Sequence, residues 1–183
     1  MPRYLPSPDS LRKVLRYEPD TGKLFWLVRT PDTFLDGVAN AEHICRRWNG
    51  KYAGKEAFTA NDRGYKQGSV FGLNFRAHQV IWAMMTGEWN AADIDHIDMN
   101  KSNNSWANLR AASRSENKFN VGLRPDNTSG IKGVWYHSQC RKWAAEVYAN
   151  GKKHSLGVFP TKQEASDVAA EARLRLHGDF ARF

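Results

Sequence analysis

Cysteine is scarce. The 183-residue chain has two, Cys45 and Cys140, far apart in sequence. That excludes a disulfide framework, and with no CxxC pair it excludes a structural zinc of common spacing. His43, Cys45 and Cys140 together fit no usual zinc pattern. Long apolar runs are absent too: nothing approaches the roughly 18 uninterrupted apolar residues of a membrane span. The start MPRYLPSPDS lacks the apolar stretch of a secretion signal, so a cytoplasmic, reduced setting is expected. There is no internal repeat and no low-complexity tract. Acid is in short supply, with 19 Asp and Glu against 27 Lys and Arg, a net charge of +8. Such a surplus suits a polyanionic partner, although a plain basic soluble protein would share it. Hydrophobic residues reach 41%, enough for a packed core.

The chain divides into three segments. Ser7-Pro8-Asp9 reads as a helix start, with a capping hydroxyl, a proline in the first turn and an acid at the positive end. Leu11, Val14 and Leu15 follow as an apolar stripe. Pro19-Asp20-Thr21-Gly22 is a turn, and Leu24 to Val28 a strand. From Pro31 to Gly64 the signals are too weak to place elements. Gly68 to Arg76 predicts a hairpin turning near Gly72, and Ala77 to Thr86 a helix ended by Gly87. A short strand at Asp93 to His96, an Asn-rich loop and a return strand at Asn108-Leu109-Arg110 come next. Ser113-Arg114-Ser115-Glu116 has capping-box spacing and starts a helix that carries Asn117. After an exposed linker, strands are predicted at Gly133 to His137, Lys142 to Tyr148 and Lys153 to Phe159. Asn150-Gly151 is a strong hairpin signal. A last helix from Thr161, ended by Gly178, should bury Ala165, Val168, Ala169, Ala172 and Leu176. The fold class expected is α+β, with 1–63 as an accessory module, 64–121 as the central domain, 122–128 as linker and 129–183 as a sheet packed on one helix.

The middle segment holds the residues suited to chemistry. Asn108 lies twelve residues after His96, and Asn117 nine further on. A hairpin closed by a helix would gather the Asp95 carboxylate and the Asn117 amide oxygen, both hard ligands suited to Mg²⁺. A neutral His96 can take a proton from water near neutral pH, and a bound cation can stabilise charge at phosphorus and at the leaving oxygen. Together the three suffice for phosphodiester hydrolysis. Neighbours on a strand face opposite ways, so Asp95 and His96 need a local twist or act on different sides of the phosphate. His78 either stands beside the metal or packs on its helix.

The run IDHIDMNKSNNSWANLRAASRSENKFN, preceded by FRAHQVIWAMMTGEW, resembles the signature of phage-type HNH homing endonucleases in the variant ending in Asn. The resemblance covers about residues 64 to 120. It implies a ββα-metal (His-Me finger) nuclease, with His96 as general base, Asp95 and Asn117 as ligands to one divalent ion, Mg²⁺ or Mn²⁺, and Asn108 tethering the loop. Gln79 departs from it, since relatives carry Arg after the flanking His. LRKVLRYEPDTGKLFW is similar to a small module often found before such nucleases.

SGIKGVWYHSQCRKWAAEVYANGKKHSLGVFPTKQEASDVAAEARLRLHGDF resembles the APETALA-type (ethylene-response factor) DNA-binding domain, in which a three-stranded sheet enters the major groove. By position, the resemblance implies DNA contacts from Lys132, Trp135, His137, Glu146, Tyr148, Lys153 and Ser155, and Arg110 is a further candidate from the nuclease segment. Trp143 and Phe159 are expected in the core beneath the helix, and Arg141, Lys142 and Lys152 would hold phosphates. Duplex DNA is therefore the expected partner, with a monomer that nicks or a homodimer that cuts both strands, in a host cytoplasm if the source is a phage. Two alternatives are a non-catalytic DNA-binding regulator and a nuclease acting on RNA or structured nucleic acid. Truncation after Asn120 should leave weak cutting without site preference and without much of the salt-sensitive affinity.

Overall fold

In the computed structural model, residues 5–34, 40–89 and 93–181 are described; the four residues of the MPRY start lie outside them. The described residues form a mixed α+β chain of five α-helices and small sheets, in two units, 1–111 and 112–183.

The first unit opens with α1 (Pro8–Val14), where Ser7 Oγ accepts from the Ser10 N–H at 3.1 Å. Leu11 and Val14 are fully buried; Leu15, expected on the same helix, instead begins β1 (Leu15–Glu18) with extended backbone. A tight turn leads to β2 (Lys23–Trp26), in register Glu18↔Lys23. The segment with no sequence signal contains α2 (Ala41–Tyr52) and β3 (Glu56–Ala57), the latter paired to β2 through Leu24↔Ala57. α2 was illegible because it buries only Cys45, lacks a side-chain cap at Asn40 and carries Asn49-Gly50 inside it. β4 (Ala60–Asp62), β5 (Tyr65–Val70) and β6 (Leu73–Arg76) make a meander whose last turn is Phe71-Gly72, as expected. α3 (Ala77–Thr86) ends on Gly87 in the left-handed region.

Apolar positions of α1, α3 and the strands between them close one core. Leu11, Leu15, Leu24, Val70, Val80 and Ile81 are at most 2% exposed. Full burial of such side chains stabilises by about 1.5–3 kcal/mol each before conformational entropy is counted. α1 is tied to α3 by Arg12, whose Nε and terminal NH2 group donate to the Met84 carbonyl. β7 (Asp93–His96) and β8 (Leu109–Ala112) form a two-stranded sheet joined by the Asn-rich loop and a 3-10 turn at Trp106–Asn108.

The second unit begins with α4 (Arg114–Phe119). Both halves of the expected capping box are present: Ser113 Oγ accepts from Glu116 N–H, and Glu116 Oε2 accepts from Ser113 N–H at 2.7 Å. The segment read as an exposed linker is partly tied down. Ser129 is buried and donates to the Val134 carbonyl, while Asn127 Oδ1 accepts from Gly130 N–H. β9 (Val134–His137), β10 (Lys142–Ala149) and β11 (Lys152–Phe159) form an antiparallel sheet, with Asn150-Gly151 turning the last hairpin. Gly133 has φ +70, and a Cβ there would meet the Glu146 carbonyl oxygen at 2.2 Å, so the chain can enter β9 only through glycine. α5 (Lys162–His177) covers the sheet, with Thr161 capping the Glu164 N–H.

Val134, Ala145, Ala165 and Ala169 make this unit's core, with Trp143 and Phe159 packed against it as expected. The helix stripe differs in two places. Val168 and Leu176 are only half-buried, and Arg173 and His177 are buried in their stead. The reason is hydrogen bonding: Arg173 donates to the Lys132 carbonyl, and His177 Nε2 donates to the Tyr148 carbonyl at 3.0 Å. Both polar ends satisfy strand-side carbonyls that an aliphatic residue would leave bare.

Candidate active site

Four side chains at the β7–β8 end of the first unit are buried although polar: Asp95 at 5% exposure, His96 at 4%, Asn104 at 2% and Asn108 at 8%. Strand alternation sends Asp95 and His96 apart, and each finds its own partner. Arg110 on β8 donates from Nε (2.9 Å) and NH2 (2.8 Å) to Asp95 Oδ2. Arg110, expected among DNA contacts, is thus the counter-ion of Asp95. On the other side, His96 Nε2 lies 3.1 Å from Asn104 Oδ1. An amide oxygen only accepts, so this bond places the imidazole proton on Nε2 and the basic lone pair on Nδ1.

Asn108 closes the loop between them. Its Oδ1 accepts from the Asp98 N–H at 3.0 Å, and its Nδ2 donates to Asp98 Oδ1 and to the Asn103 carbonyl. The Ile97 N–H donates to the Asn108 carbonyl at 2.9 Å. Burial works against the Asp98 carboxylate, but donors from Asn103, Asn108 and the Asn100 N–H hold its pKa below the ordinary value. The asparagines therefore tie the turns of this loop together by hydrogen bonds.

The amino-terminal hairpin braces this loop. Tyr17 Oη donates to the Asn104 carbonyl at 2.8 Å, and the Trp106 N–H donates to the Pro19 carbonyl at 2.9 Å. Gly22, at φ +71, would place a Cβ 2.4 Å from the Ser105 nitrogen. The accessory segment so positions the loop that carries the site.

His78 comes from α3 to stand beside His96, ring centroids 5.0 Å apart and edge to face, with Tyr65 5.3 Å from His78 and 6.0 Å from His96. His78 is both packed and adjacent to the site, and its Nδ1 is buried without a hydrogen-bond partner. Burial, aided by His96 and the Arg76 cation, pushes its pKa down to about 3. Burial also lowers His96, partly offset by the bond to Asn104 and by the charges of Asp95 and Asp98. Both imidazoles are neutral at neutral pH. Gln79, in place of the expected Arg, closes the start of α3, where its Oε1 accepts from the Arg76 N–H.

Asn104 and Tyr65 were missed in the sequence. Asn104 was lost among four loop asparagines, and the ring of Tyr65 meets the site only through a hairpin whose register could not be read. Asn117 lies on α4, half-buried, in the second unit.

The sheet of the second unit presents one outward face. Trp135, His137, Glu146, Tyr148, Lys153 and Ser155 share it by register, since Trp135 opposes Ala144, His137 opposes Lys142, Lys153 opposes Tyr148 and Ser155 opposes Glu146. Lys153 pairs with Glu146 and lies 5.5 Å over the Trp135 ring, and Tyr148 is 60% exposed. Lys132 is used differently: its ammonium donates to the carbonyls of Phe119 (2.8 Å) and Val121 (2.6 Å), behind α4.

Parts of this chain are shared with known proteins. Residues 75–119, which include α3, the β7–β8 loop and α4, match the HNH endonuclease family. Protein 3.8 of Escherichia phage T7 is 36% identical over 112 residues, 59% of this chain and 89% of the phage protein. The chain belongs to the family of that phage protein. An uncharacterized HNH endonuclease of Acanthamoeba polyphaga mimivirus is 34% identical over 106 residues, 57% of this chain and 54% of the viral protein. No solved structure matches. The two HNH matches support a nuclease. No helix among the described residues is long and apolar enough to cross a membrane.

Proposed function

We propose that the chain is a metal-dependent HNH endonuclease that hydrolyses phosphodiester bonds in duplex DNA, aimed by the outward face of its carboxy-terminal sheet, in the cytoplasm of a phage-infected host. The observation that carries this reading is His96: a neutral imidazole whose proton is fixed on Nε2 by Asn104, next in sequence to a buried carboxylate. In that state Nδ1 can take a proton from the attacking water. Asn104 keeps the ring from rotating, and Asn108 keeps the loop beneath it closed. His78 and Tyr65 pack against the imidazole.

Asp95 offers a carboxylate, and the resemblance to the HNH signature adds the amide oxygen of Asn117. A single carboxylate with one amide suits an ion that keeps most of its positions for water and phosphate, as Mg²⁺ does, with Mn²⁺ as its substitute. Among the described residues no group of three or more His, Cys, Asp or Glu converges. When bound, the ion supplies charge stabilisation at the phosphoryl and leaving oxygens. Arg110 neutralises Asp95 in the free protein and would turn to an incoming phosphate. On the sheet, Trp135, His137, Tyr148, Lys153 and Ser155 would face the groove, with Glu146 reading a base amine or orienting Lys153. A single centre cuts one strand, so a monomer nicks and a homodimer cuts both.

Supercoiled plasmid provides the test. Nicking should appear with Mg²⁺, stop with EDTA and stop in His96→Ala. A His96→Ala protein that nicks as fast as the parent would remove the base from the scheme.

A further inference from the structure

The first unit has a second polar feature, which shares no residue with the His96 loop. Arg29 is 9% exposed and sits among aromatic rings, its guanidinium carbon 3.9 Å from the Trp48 centroid, 5.1 Å from Trp26 and 5.7 Å from Phe34. Its main chain is fully used: the N–H donates to Asn49 Oδ1, and the carbonyl accepts from Asn49 Nδ2 and Cys45 Sγ. The charged end is not. No carboxylate pairs with it among the described residues, and Nε is buried without a hydrogen-bond partner. Beside it opens a cavity of about 780 Å³ lined by Trp26, Phe34, Trp48, Tyr52 and Phe71 together with Arg29 itself. One acid, Asp32, also lines it.

A buried guanidinium without a counter-ion is costly to a fold unless something anionic completes it. The rings contribute cation–π attraction but accept none of its N–H donors. The ligand is thus an anion, and the walls specify the rest of it. A bare phosphate would leave five aromatic rings unused, and a cation would meet Arg29. A flat aromatic group joined to a phosphate satisfies both features, and the volume lies in the range that holds a small organic ligand. We propose that this cavity binds one unpaired nucleotide, its phosphate on Arg29 and its base against the aromatic walls. The nucleotide comes either from a single strand or from the free pool.

The full chain, followed by tryptophan fluorescence, separates these sources. Titrants are dAMP, deoxyadenosine, deoxyribose 5-phosphate, an oligothymidylate and a blunt duplex of the same length. We expect dAMP and the oligonucleotide to quench, with nucleoside and sugar phosphate each at least ~10-fold weaker, because base stacking and the charge-assisted phosphate bond both contribute. Arg29→Met should weaken dAMP binding about 10-fold, and Phe71→Ala, at the rim, about 3-fold with the melting temperature unchanged. Should Arg29→Met fail to fold, Phe71→Ala and the set of partial ligands still decide. An oligonucleotide tighter than dAMP supports a strand as the source, and equal affinities support the free nucleotide. Absence of quenching by any probe overturns the proposal. So does equal binding of dAMP and sugar phosphate, or a duplex that competes as well as the single strand.

Discussion

Replacing Phe119 by Ala should release α4, the helix that carries Asn117, while the rest of the second unit stays folded. α4 has six residues, far below the length at which a helix holds itself in water. Two contacts within its own unit hold it. The Phe119 ring, 7% exposed, stacks on His177 of α5 with centroids 3.8 Å apart and planes 3° from parallel. Lys132 binds the carbonyls of Phe119 and Val121 at the helix end, where the macrodipole favours a cation. Truncating a buried Phe to Ala costs about 3–5 kcal/mol in a core, and the lost stacking is included in that range. Taking about 3 kcal/mol, the low end of that range, the opening equilibrium of α4 should rise roughly 100-fold. Hydrogen exchange reads this directly, because the Asn117 and Asn120 amides are protected by bonds to Ser113 and Glu116. Exchange across 114–120 should accelerate about 100-fold, with the β10 amides unchanged, and nicking should fall only by the share of molecules in which α4 is then open. Unaltered exchange at α4 would refute the reasoning. The same contacts revise the expectation for truncation after Asn120. That cut removes His177 and Lys132, so it should abolish nicking rather than merely relax site preference.

Other expectations follow from single positions. His78 is neutral in the fold with a pKa of about 3 against an ordinary 6.5, so below pH 6.5 the unfolded chain takes up a proton that the folded chain refuses. Stability should fall through this window, by roughly 2 kcal/mol at pH 5, and His78→Phe should flatten the curve; parallel melting curves for the two proteins would contradict it. Gly22→Ala should destabilise by about 2 kcal/mol or more, because a side chain at φ +71 meets the Asn104–Ser105 backbone; an unchanged melting temperature would show that the hairpin does not brace the loop. Beside the Asn150-Gly151 turn, Lys152→Gln should reduce the slope of log affinity for duplex DNA against log salt by about one. An identical slope would take the phosphate contact away from that hairpin.

What the sequence disclosed was mostly local. Turn and cap chemistry at Gly72, Gly87, Ser113, Asn150-Gly151 and Thr161 operates between near neighbours, so those elements stood where expected. The loop of the site was half legible: Asp95, His96 and Asn108 were named, and all three are buried at the β7–β8 end, each with its own partner. Asn104 was not named, because its role depends on meeting His96 across a loop whose path the residue types do not specify. Arg110 and Lys132 show the same limit in reverse. As sequence they were surplus cations for DNA, whereas in the fold one neutralises Asp95 and the other binds the end of α4. α2 escaped because its start lacks a side-chain cap and its buried face is a single cysteine. Arg29 could not have been singled out, since only the fold reveals a cation ringed by aromatics.

The proposed chemistry depends on a single cation shared by Asp95 and Asn117 beside the His96 imidazole. Crystals of the protein grown with Mn²⁺ and measured at the manganese absorption edge would locate it. An anomalous peak about 2 Å from a carboxylate oxygen of Asp95 and from the Asn117 amide oxygen is expected, and it should vanish in Asp95→Ala. A peak elsewhere, or none at saturating metal, would contradict the assignment.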